Sequence, residues 1–75
     1  MHDNIELLDT VALAADIPER DLKQGEVGTV VELLDPNVFE VEFSDDHGQT
    51  YAEFALRRDQ LIVLHNQGKG FRTAA

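Results

Sequence analysis

The sequence predicts a small all-β barrel, and three observations carry that reading. Two strand-forming runs at the centre of the chain are joined by Asp35-Pro36-Asn37, a turn sequence. After that turn, Phe39, Val41 and Phe43 alternate with Glu40 and Glu42, the period of a strand with one buried and one wet face. With 75 residues, 43% of them apolar, the chain has material for one core and one domain. A domain of this size is held by roughly 4–11 kcal/mol.

Five strands follow in order. Thr10 to Ala15 reads as the first: Ala and Leu favour a helix, but Pro18 biases Ile17 toward extended backbone, and Val11 and Leu13 alternate. Pro18 to Gly25 is polar and reads as a long ordered loop with Leu22 tucked beneath it. The second strand runs from Val27 to Leu34, with Gly28 marking a bulge or sharp bend. Pro36 suits the second position of a tight turn, and Asn37 tolerates a left-handed backbone. Val38 to Ser44 is the third strand, followed by a polar turn in which Gly48 suits a positive φ. Thr50 to Leu56 is the fourth, with Ala52, Phe54 and Leu56 inward and Tyr51 and Glu53 outward. Arg57 to Gln60 fits a short helical turn, and Leu61 to Leu64 closes as the fifth strand. The expected core is Val11, Leu13, Val30, Phe39, Val41, Phe43, Phe54, Leu56 and Leu61. Residues 1–65 form the domain; 66–75 lack periodicity and are expected to be disordered.

Charge is uneven. Residues 1–56 hold fourteen acids against Arg20 and Lys23, whereas 57–75 hold only Asp59 against Arg57, Arg58, Lys69 and Arg72. The first segment is therefore near −12 and the second near +3, within a total of −9. Such a body repels phosphate backbones and anionic lipid, so nucleic acid and membranes are disfavoured as partners. The acidic N-terminus lacks the basic start of a signal peptide, and no apolar run is long enough for a membrane helix. Without cysteine there are no disulfides or thiolate metal sites, and a cytoplasmic location is expected.

Candidate chemistry is sparse. His2, His47 and His65 have no metal-ligand spacing, and the Asp45-Asp46-His47 turn is too short for a calcium loop. Ser44 lies in no nucleophile elbow, and Gly25 and Gly28 precede no Lys-Ser/Thr of a phosphate loop. Asp16, Glu19 and Asp21 sit in a polar loop with nothing to split their pKa values. No catalysis, cofactor or metal is expected.

The order of elements — a long loop after the first strand, a central hairpin, a helical turn before a short last strand — resembles an SH3-like barrel. The Gly25–Val31 segment looks like the strand start of many such barrels, including those of ribosomal and transcription-elongation proteins. More closely, residues 7–65 resemble an uncharacterised bacterial family of stand-alone small domains. The matching pieces are Leu8-Asp9-Thr10-Val11-Ala12-Leu13, Ile17-Pro18-Glu19, Asp21-Leu22-Lys23-Gln24-Gly25, Gly28-Thr29-Val30-Val31-Glu32, Val41-Glu42-Phe43 and Asp59-Gln60-Leu61. The resemblance implies a five-stranded SH3-like barrel and no assigned activity; its members look like companions of other small proteins, which implies an antitoxin or immunity role. The tail after His65 departs from the family pattern.

The remaining signal is an acidic sheet face. Glu40 and Glu42 share the exposed side of the third strand, and neighbouring strands bring Glu32, Glu53 and Tyr51 beside them. Acids with one aromatic form a docking surface for a basic protein: charge speeds encounter and the aromatic anchors it. The alternative reading is a nucleic-acid- or ribosome-associated barrel using Arg57, Arg58 and the basic tail, or an accessory subunit docked on a larger enzyme complex.

Overall fold

The computed structural model describes residues 4–64. Five strands are present: β1 Thr10–Leu13, β2 Val27–Asp35, β3 Val38–Ser44, β4 Thr50–Arg57 and β5 Leu61–Val63. Short 3-10 turns span Pro18–Arg20 and Arg58–Gln60. All strands pair antiparallel in one sheet of order β4-β3-β2-β1-β5. The element order expected of the barrel is present, but β4 and β5 are the two sheet edges, so the sheet is not closed by hydrogen bonds. No helix among the described residues is long and apolar enough to cross a membrane.

The core lies under the inner face, in rows set by register. Val63 pairs with Val11 and Val11 with Gly28; Val30 pairs with Val41 and Val41 with Phe54; Leu33 pairs with Phe39 and Phe39 with Leu56. Eight of the nine expected core residues are buried; the exception is Phe54, which is half-buried because it sits on the edge strand. Arg20 covers its open side, with the guanidinium 4.5 Å from the ring centroid. Ile5 and Ile17 join the core, as does Leu22, tucked under its loop as expected. Ile17 and Leu22 form an isolated bridge, which folds the 14–26 excursion back on itself over the left-handed Asp21.

Two local expectations are corrected. Gly28 is not a bulge: a Cβ there would meet Val41 Cγ1 at 2.7 Å and the Glu42 carbonyl at 2.8 Å, so glycine permits close packing across β2 and β3. Asn37 is not left-handed, since only Leu8 and Asp21 among the described non-glycine residues have positive φ. Pro36 excludes the primed turns that match strand twist, and β2 compensates with a register shift between Leu33 and Asp35. The β3–β4 turn behaves as expected, with Gly48 at φ +80 and Asp45 Oδ1 accepting the His47 and Gln49 N–H groups at 2.8 and 2.9 Å. The expected disorder of 66–75, and His2, His65, Lys69 and Arg72, lie outside the described residues.

Candidate protein-docking face

The period of β3 forces Glu40 and Glu42 outward, because Phe39, Val41 and Phe43 are buried on the other side. Register places Glu32 opposite Glu40 on β2, and Glu53 opposite Glu42 on β4. Strict alternation from the buried Val30 would have turned Glu32 inward. The register shift between Val30 and Glu32 inserts one residue and rotates Glu32 onto the outer face. Four glutamates thus occupy two adjoining rows of one surface.

Tyr51 does not join them. A second shift, between Phe43 paired with Ala52 and Ser44 paired with Thr50, leaves Tyr51 as the extra residue of β4. Its ring lies 6.4 Å from that of Phe43, a core residue, and its hydroxyl donates to Glu26 Oε1 at 2.7 Å. The expected anchor is therefore turned toward the long loop rather than the acids. Its place on the outer face is taken by Thr50, whose hydroxyl donates to the Glu42 carboxylate. Alternation along β4 could not reveal this, because a bulge leaves no fixed mark in sequence.

The electrostatics of the face follow from its crowding. Glu40 is held above the ordinary carboxylate range, first by partial burial, then by its hydrogen bond with the Glu53 carboxyl and the charges of Glu53 and Glu32. Arg57, the base on the same strand, is engaged elsewhere: its Nε lies 3.1 Å from Asp59 Oδ1. Tyr51 is pushed up to about 12, chiefly by its bond to Glu26, then by burial and by the charges of Glu26 and Asp45. Glu26 was not singled out from sequence; its Oε2 also accepts the Lys23 N–H at 2.8 Å, which locks the loop base.

The other sequence candidates have structural employment. Asp16 Oδ1 accepts the Gln24 N–H at 2.8 Å, and Asp45 closes its turn as described. A cleft of about 290 Å³ beside Arg57 is also lined by Asp16 and Asp59, an ill-suited setting for phosphate. Among the described residues, no three His, Asp or Glu side chains converge on a metal position.

No curated protein and no solved structure matches the chain. The pieces singled out from sequence, from the Leu8–Leu13 run to Asp59-Gln60-Leu61, lie on β1, β2, β3, the start of β5 and the loops between them. Residues 7–63 match the family model described as a domain of unknown function, DUF4926, and the chain belongs to that family.

Proposed function

We propose that the chain is a non-catalytic protein-binding module that engages a basic partner in the cytoplasm through Glu32, Glu40, Glu42 and Glu53. One observation carries this reading: like charges stand directly opposite each other in two adjoining rows of the outer face. Such pairs weaken a sheet, and packing does not demand them, because they face away from the core. A cationic surface laid over them removes the repulsion and gains from steered encounter. Masking the active surface of a small basic protein is how an antitoxin or immunity protein would use the face. Nucleic acid is the poorer partner, since the same field repels phosphate.

Reversal of the pair, Glu40→Lys with Glu42→Lys, tests the proposal. Exposed changes of this kind alter stability by only about 0.5 kcal/mol, so the variant should unfold near the wild-type midpoint. Immobilised wild-type chain should retain a basic protein from lysate of the source cells, with association slowing as salt rises; the double variant should lose it. Equal retention of the same protein by both would reduce the face to a solubility device.

A further inference from the structure

The two edges of the sheet are not alike. β5 offers three residues, a blunted edge, whereas β4 runs for eight, Thr50–Arg57, with no lysine or proline along it. Which β4 groups point out of the sheet follows from the hydrogen bonds at its end. The Arg58 N–H donates to the Asn37 carbonyl at 2.8 Å, continuing the β3–β4 register by one pair. Bonded and non-bonded pairs alternate along an antiparallel ladder. Leu56, Phe54 and Ala52 therefore bond to β3, and Arg57, Ala55 and Glu53 turn their N–H and C=O groups outward. Arg57 agrees with this parity, since its N–H donates to Gln60 Oε1 at 2.8 Å rather than to β3. Among the described residues, no hydrogen bond reaches the outward backbone groups of Ala55 or Glu53, and both residues are exposed.

We propose that this edge receives an extended segment of the basic partner as a sixth strand, with cations and small apolar residues alternating along it. The open main-chain groups set the mode, because an extended chain satisfies a row of N–H and C=O groups at strand spacing. Register sets the charge: Glu53 stands at the edge with Glu42 beside it on β3, and Ala55 stands beside Glu40. An added strand lies about 4.8 Å beyond β4, with every second side chain against Glu53 on the outer face. Its other side chains meet the half-buried Phe54 on the inner face. The Arg20 guanidinium already lies 4.5 Å from that ring centroid, so an apolar residue fits there and a second cation does not. A second copy is the poorer occupant, because two chains of −9 would meet with Glu53 on both edges. The inference rests on the docking proposal for the sign of the partner, and adds how the partner is held.

An acetylated octapeptide of alternating lysine and valine is the probe, added to isotope-labelled full-length chain at low salt. In the free protein the Ala55 and Glu53 amides should exchange with solvent an order of magnitude or more faster than those of Phe54 and Leu56. The peptide should slow Ala55 and Glu53 severalfold, less so as salt rises, and a glutamate–valine octapeptide should leave them unchanged. Ala55→Pro removes one outward donor and no bond to β3, and should abolish the slowing at Glu53. A synthetic chain with a backbone ester in place of the Phe54–Ala55 amide removes the same donor without the ring, and should behave alike even where the proline variant does not fold. Slow exchange of Ala55 and Glu53 in the free chain would overturn the inference, and slowing that grows with protein concentration would assign the edge to a second copy. So would a peptide effect that is absent, that survives loss of the donor, or that the glutamate peptide reproduces. The two proposals fail separately. A basic protein retained by wild type and by Ala55→Pro, but not by Glu40→Lys with Glu42→Lys, sinks the edge and keeps the face; the reverse pattern sinks the face and keeps the edge.

Discussion

The two faces of β3 come from one alternating run, yet they answer to different constraints. On the inner side Phe43 and Val41 are fully enclosed, and the backbone of β2 approaches so closely that only glycine fits at position 28. The buried inner residues are accounted for by close packing. On the outer side nothing fills a fixed volume, and four glutamates sit where most polar residues would serve the fold equally well. The inner face explains why the chain folds. The outer face departs from what folding alone would choose, and function is sought there for that reason.

The sharpest way to break this contrast is to remove inner volume. Phe43→Ala should cost about 3–5 kcal/mol, enough to unfold most of a population whose total stability is roughly 4–11 kcal/mol. Gly28→Ala adds volume instead, against the Val41 side chain and the Glu42 backbone, and should cost about 1–3 kcal/mol. Phe54→Ala, on the edge strand with its ring 6.2 Å from that of Phe43, should cost only about 1–2 kcal/mol because its ring is only partly buried. Urea midpoints at constant slope measure all three. Equal losses at Phe43 and Phe54 would show that the edge is as tightly packed as the centre.

These three sites also show what the sequence could reveal. Alternation located β3 from Val38 to Ser44 without error, because turns bound it on both sides and each residue has a partner-independent parity. Leu22 was legible for a similar reason: it is the one large apolar residue in a polar loop. Phe54 was misjudged because period alone says inward and not how much sheet lies beyond it. Glu32 and Tyr51 show the deeper limit. Glu32 stands on the outer face as expected, but only because of a register shift in β2, whereas the shift in β4 turns Tyr51 away from the acids toward Phe43. A bulge is settled between strands, so single-strand periodicity does not contain it.

Tyr51 offers a smaller effect with a cleaner reading. Tyr51→Phe removes the hydroxyl that donates to Glu26 and should cost about 1 kcal/mol. Because this is the single tyrosine and there is no tryptophan, phenolate absorbance reports it alone. The raised value, about 12, means the folded state holds the phenol proton more tightly than the unfolded chain does. Its stabilising contribution is thus complete below the ordinary value of 10.0 and is lost as pH rises through about 12. Glu26→Gln should bring the titration back toward 10.0. An unchanged titration in that variant would place the cause in burial instead.

The smallest expected effect lies on the acidic face itself and carries the opposite sign at neutral pH. Glu40 is raised by partial burial and by Glu53 and Glu32, so folding favours its neutral form. The associated stability is present below the ordinary carboxylate value of 4.5 and is lost as pH rises through the higher folded value. At pH 7 the charged Glu40 therefore weakens the fold. Glu40→Gln should make the domain more stable there by about 0.5 kcal/mol, the scale of a like-charge cross-strand pair. The gain should close as pH falls below the carboxylate range and shrink with added salt. Glu53→Gln should shift the Glu40 titration down, since it removes a neighbouring charge and offers the ionised Glu40 an amide donor. If Glu40→Gln destabilised the chain at pH 7, the carboxylate would be serving the fold, and the contrast between the two faces of β3 would lose its meaning.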